Sequence, residues 1–203
     1  MTMSLFPRFR QQAALCAGAL LLGLGLAAHA HADDVQDANK LLKQKQFDQA
    51  LEKVNGVLAS KPKDAPARFL KGVILMELGK TEDAIGVFQA LTEDMPDQPE
   101  PYNNLGVLYA LQGHYDKAKT TMEMAIRIQP SYAVAHENLG DIYAKMASKE
   151  YERALQLDPN NTSPQGKLTT VKQLFPKSSA RTPTVTIPAA SAPAATTRGP
   201  AKP

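Results

Sequence analysis

Three glycines, Gly72, Gly106 and Gly140, stand 34 residues apart, and Ala38 stands one more interval upstream. Ala50, Ala84 and Ala118 recur at the same interval, as do Pro62, Pro96 and Pro130. One glycine or proline coincidence would mean little. Three residue classes held in one phase require a structural unit that repeats along the chain. Such a chain cannot fold as one irregular globule; each unit must stack on its neighbours.

The unit is clearest over residues 99–132. Tyr102, Leu105, Gly106 and Tyr109 are spaced i, i+3, i+4, i+7, which predicts one face of a helix. Gly113 ends that helix. Tyr115, Ala118, Met122 and Ala125 then lie on one face of a second helix, and Pro130 stops it. Gly106 and Ala118 are small enough to let the two backbones approach, with the tyrosines and leucine filling the space around them. This pattern resembles the tetratricopeptide repeat, whose aromatic, Leu-Gly, Tyr, Ala, Phe and Pro signature falls at matching positions. The resemblance covers residues 31–175. It implies an all-α fold, a solenoid of helical hairpins wound as a right-handed superhelix, closed by a C-terminal capping helix.

The repeats divide as 33–64, 65–98, 99–132 and 133–160. The first is atypical: Asp34 stands where Tyr102 sits and Lys45 where Gly113 sits. A polar opening suits a terminal repeat, whose outer face meets water. In the second, Thr81-Glu82-Asp83 is expected to cap the second helix and place acids at its positive end. In the fourth, His136, Leu139, Gly140 and Tyr143 keep the phase, but Ala147, Tyr151, Ala154 and Pro159 arrive five residues early. The missing residues are those of the turn. Either one helix runs from about Val134 to Leu157, or a tight turn near Ser148 folds the second helix back. Retention of the inward-facing residues favours the tight turn; the long helix would leave an apolar face open to a second chain. Residues 161–175 read as the capping helix, with Thr162 or Ser163 as cap, Pro164 in its first turn, and Leu168, Val171, Leu174 and Phe175 on one face.

Residues 1–32 read as a secretory signal: Arg8 and Arg10, an apolar run from Ala13 to Ala28, then small-x-small sites at Ala28-His29-Ala30 and Ala30-His31-Ala32. The alternative is a retained membrane anchor. Cys16 is the one cysteine; Leu15 before it and the apolar run after it do not fit a lipid-attachment site. Cleavage would leave a chain without cysteine, hence no disulfide, thiol chemistry or cysteine-bound zinc. Residues 176–203 turn to Pro, Ala, Ser and Thr without apolar periodicity, the composition of a disordered tail. Of 23 Lys and Arg, two lie in the signal and four in the tail, so the body carries 17 against all 20 Asp and Glu. That balance is no footprint for nucleic acid.

The residues offer little chemistry. His136-Glu137 begins like a zinc-protease helix, but Gly140 occupies the place of the second histidine. No phosphate loop or convergent titratable cluster is present, so neither an enzyme nor a cofactor or metal is expected. What the resemblance implies is a concave groove lined by first helices. The corresponding positions carry Phe69, Val73 and Met76 in the second repeat, Asn103, Asn104, Val107 and Leu111 in the third, and Glu137, Asn138 and Asp141 in the fourth. Asn104 and Asn138 lie one period apart. An amide both donates and accepts, so a ladder of them can bind a peptide backbone whatever its side chains. Both asparagines are expected to be exposed, so that changing them to Ala should leave helicity intact. Family members that clamp the carboxylate of chaperone tails use two basic residues; Leu70, Val107, Val134 and Asn138 stand at such positions here, which argues against that partner. The expected molecule is a periplasmic adaptor of a Gram-negative bacterium, not inserted in the membrane after cleavage, that binds a protein or extended peptide. The alternative is a self-assembling scaffold, a homodimer formed through the shortened fourth repeat.

Overall fold

A computed structural model describes residues 34–175. The signal (1–32) and tail (176–203) expected from the sequence lie outside these residues. Eight helices are described: α1 (34–43), α2 (Phe47–Ser60), α3 (Ala65–Glu77), α4 (Thr81–Asp94), α5 (Pro99–Leu111), α6 (Tyr115–Ile128), α7 (Ala133–Leu157) and α8 (Thr162–Gln173). There is no strand among the described residues. The all-α expectation of helical hairpins therefore holds. The chain divides into two compact units, with the division between Leu70 and Lys71 inside α3.

One turn closes each of the first three hairpins, and it repeats with the sequence. Lys45, Gly79 and Gly113 all take left-handed φ, at 61°, 70° and 77°. In the third hairpin the Gly113 N–H donates to Ala110 O and the His114 N–H to Tyr109 O. Gly79 and Lys80 bond to Met76 O and Leu75 O, and Lys45 and Gln46 to Leu42 O and Leu41 O, in the same way. These paired bonds satisfy carbonyls that the ending helix would leave open. Glycine enters this conformation freely; Lys45 enters it at a cost of about 1 kcal/mol.

In the first unit, Ala38 and Leu42 of α1 and Ala50, Val54 and Val57 of α2 are buried. The Asp64 carboxylate accepts from the Ala67 N–H at 2.9 Å and caps α3. On the surface Lys53 lies 2.8 Å from Asp34 and 3.6 Å from Asp37. The hydrogen bond to Asp34, with the charges of both acids, holds the Lys53 ammonium above the ordinary lysine pKa.

In the second unit α5 is the central element. It packs against α4, α6 and α7 and is buried on nearly all sides from Asn103 to Leu108. Gly72 of α3 and Gly106 of α5 are the points of closest approach. A Cβ on Gly72 would lie 2.7 Å from Phe88 Cζ, and one on Gly106 2.9 Å from Met122 Cε and 3.3 Å from Ala118 O. The recurring glycine is therefore a steric requirement of the hairpin. Val107, Ala118, Met122, Ala125, Tyr132, Ala135 and Ile142 form one apolar core across α5, α6 and α7.

Three details correct the sequence reading. The favoured tight turn near Ser148 does not form: α7 is one helix of 25 residues, the alternative reading. The segment Met146–Glu150 has no glycine to take left-handed φ, and its residues are compatible with helix. Thr81 does not cap α4. It is the first helical residue, the cap position is Lys80 without a side-chain bond, and Glu82 and Asp83 do lie in the first turn. The cap of α8 is Asn161, which accepts from the Ser163 N–H at 3.2 Å, so Thr162 and Ser163 are already helical. α8 packs on α7 through buried Pro164 and Leu168, whereas Leu174 is 61% exposed.

Candidate functional site

The expected groove positions lie on α3, α5 and α7, the first helices of their repeats. Their exposure differs from expectation. Asn103 and Asn104 are fully buried and Asn138 nearly so. The Asn138 Nδ2 donates to Asn103 Oδ1 at 2.9 Å, and Asn103 Nδ2 donates to Asn104 Oδ1 at 3.2 Å. The amides thus form a chain that ties α7 to α5. This corrects the expectation that Asn104 and Asn138 are exposed and can be replaced without structural effect. A buried amide must be hydrogen-bonded, and here the neighbouring first helix supplies a partner.

Phe69, Val73 and Val107 are also buried. Met76 and Asp141 are half-buried, and Glu137 is exposed. Leu111 is 60% exposed at the end of α5, as Leu157 (81%) and Leu174 (61%) are at the ends of α7 and α8. Asn103, Val107 and Leu111 follow each other at i, i+4, i+8, so Leu111 ends the line that begins at the buried amide. The Asn103–Asn138 bond ties α5 to α7; Leu111 is exposed at the far end of α5, and Glu137 and Asp141 lie in the first half of α7.

Among the described residues no group of three or more His, Cys, Asp or Glu could hold a metal ion. His136 Nε2 lies 3.0 Å from Pro130 O, an interaction that orders the start of α7. Among the same residues no helix is long and apolar enough to cross a membrane.

The model of the tetratricopeptide repeat family matches residues 41–106 and 75–139. Residues 41–139 are tetratricopeptide repeats. Repeats of this kind generally mediate contacts between proteins. Among curated proteins, the chain is similar to the chloroplastic tetratricopeptide repeat domain-containing protein PYG7 of Arabidopsis thaliana. The two are 41% identical over 73 residues, 34% of this chain and 24% of that protein. It is also similar to human protein O-mannosyl-transferase TMTC1, 30% identical over 104 residues, 49% of this chain and 12% of that protein. The chain thus spans a minor part of either relative. Among solved structures, the first tetratricopeptide domain of human RPAP3 superposes with a TM-score of 0.56 at 19% identity, over 59% of this chain and 94% of that one. A crystal structure of MamA gives 0.53 at 20% identity, over 70% of this chain and 81% of that one. These likenesses are of tetratricopeptide fold alone.

The sequence located the helices that carry the surface but not which side chains reach it. Position within a repeat places Asn103 and Leu111 on one line. Only the packing of α7 decides that the first is buried and the second open.

Proposed function

We propose that this chain is a non-enzymatic adaptor of the periplasm, exported by its N-terminal segment, which holds a protein partner on its first-helix surface. The observation that carries the reading is the exposed Leu111 beside a helix bearing Glu137 and Asp141, on repeats of a binding family. An exposed leucine is an anchor for an apolar side chain, and carboxylates on the neighbouring helix favour a basic residue elsewhere in the partner segment. The fitting partner is an extended segment with an apolar residue followed by Lys or Arg. The buried amides set the spacing of α5 and α7, so their role in recognition is indirect.

The test is affinity capture from the exported fraction with the wild-type chain and its Leu111→Asp variant in parallel. Leu111 is exposed, so helicity should be unchanged. A protein held by the first and lost by the second supports the reading. Equal capture by both would move the binding surface away from the first helices.

A further inference from the structure

The fourth repeat keeps the packing residues of both helices but lacks the turn between them, and its hairpin is open. In the third repeat, Gly106 of α5 receives Met122 and Ala118 of α6. The matching acceptor in the fourth is Gly140 of α7, around which a Cβ would meet nothing within 4 Å. Tyr143, one turn on, is 47% exposed. The donor residues are present as well: Ala147, Tyr151 and Ala154 reproduce Ala118, Met122 and Ala125. They lie on the same continuous helix as Gly140 and so cannot fold back onto it.

We infer that a second copy of this chain supplies them, α7 pairing antiparallel with α7 of the other copy about a two-fold axis. His136, Gly140, Tyr143, Ala147, Tyr151 and Ala154 follow each other at intervals of three or four residues, which makes one continuous stripe on the helix. In an antiparallel two-fold pair, facing positions run in opposite directions along the two helices. Gly140 opposite Tyr151, Tyr143 opposite Ala147, and His136 opposite Ala154 satisfy this to within one residue. Each large side chain then meets a small one, the size match that packs a helix interface. The contact is isologous and closes on itself, so it yields a dimer and not a filament.

The stripe differs from the core-facing side: His136, Gly140 and Tyr143 are exposed, and Ala147, Tyr151 and Ala154 are half-buried. Ala135, Asn138 and Ile142 point into the core. α8 covers a neighbouring face of the later turns, where Lys172 pairs with Glu152 at 3.0 Å and Lys145 sits over the Phe175 ring at 4.2 Å. Tyr151 lies at the seam between that face and the stripe, with Lys167 5.9 Å from its ring. Glycine in an exposed helix interior weakens the helix, and no contact within one chain requires it at position 140. A second chain does: its Tyr151 needs the space.

The test is light scattering on the purified protein from about 1 to about 100 µM, with the variant Gly140→Leu. In one chain the new side chain projects into open space and favours the helix, so the variant should fold and melt no lower. In the pair it would occupy the site of Tyr151. The wild type should reach twice the mass of one chain, and Gly140→Leu should be monomeric, with self-affinity at least about 100-fold weaker. In a Cys16→Ser background, Gly140→Cys mixed with Tyr151→Cys should give a disulfide-linked dimer on oxidation. A wild type that stays at one chain mass throughout, or a Gly140→Leu variant that dimerises as before, would overturn the inference.

Discussion

Gly72 and Gly86 are both helical glycines, and the structure gives them opposite meanings. Phe88 leaves no room for a Cβ on Gly72, while nothing lies within 4 Å of one on Gly86. Gly72→Ala should destabilise by about 1–3 kcal/mol through overpacking against a buried ring. Gly86→Ala should stabilise by about 0.5–1 kcal/mol through helix propensity. Urea denaturation of the two variants checks the contrast. Lys45→Gly should gain about 1 kcal/mol, since glycine enters left-handed φ without the Cβ clash. The buried amides give the largest polar effect. Asn138→Ala removes the donor to Asn103 and should cost about 1–3 kcal/mol; equal stability to wild type would show that the amide chain is not structural. The 34-residue period made Gly72 legible in the sequence. The burial of Asn103 was not, because an asparagine at that helix position can face water or a neighbour, and only the approach of α7 decides which.

At the scale of elements, the hairpin depends on a residue able to take left-handed φ two or three positions after the first helix ends. Lys45, Gly79 and Gly113 fill that role. In the fourth repeat the five residues of the turn are absent, and the helix continues through Met146–Glu150. The deletion was plain in the sequence. Its outcome was not, because the retained Ala147, Tyr151 and Ala154 argued for a folded-back helix. The stronger signal was the lack of any glycine where three earlier turns demand the conformation. Hydrogen exchange tests this directly. Amides 146–150 should exchange as slowly as those of the flanking turns of α7; rapid exchange confined to these five would indicate a bend.

At the scale of the whole molecule, α7 carries two separate faces. The core-facing side of α7 joins the repeats, and the hydrogen bond from Asn138 to Asn103 ties it to α5, whose far end carries the exposed Leu111. The open stripe through Gly140 and Tyr143 is a separate face. Partner binding and self-pairing should therefore be separable by mutation, with Leu111→Asp altering the first and Gly140→Leu the second. The repeat architecture was legible because stacking forces every unit into one phase. The proposed binding surface was legible only as a set of positions, since repeats of this fold keep their packing residues and vary the exposed ones. The most direct measurement is site-specific photocrosslinking in the cell, with a benzophenone side chain at position 111 and, in a second strain, at position 86 on the exposed side of α4. The account predicts a discrete adduct with a partner protein from position 111 and none from position 86. No adduct from 111, or the same adduct from both, would contradict the claim that this protein works by binding a partner on its first-helix surface.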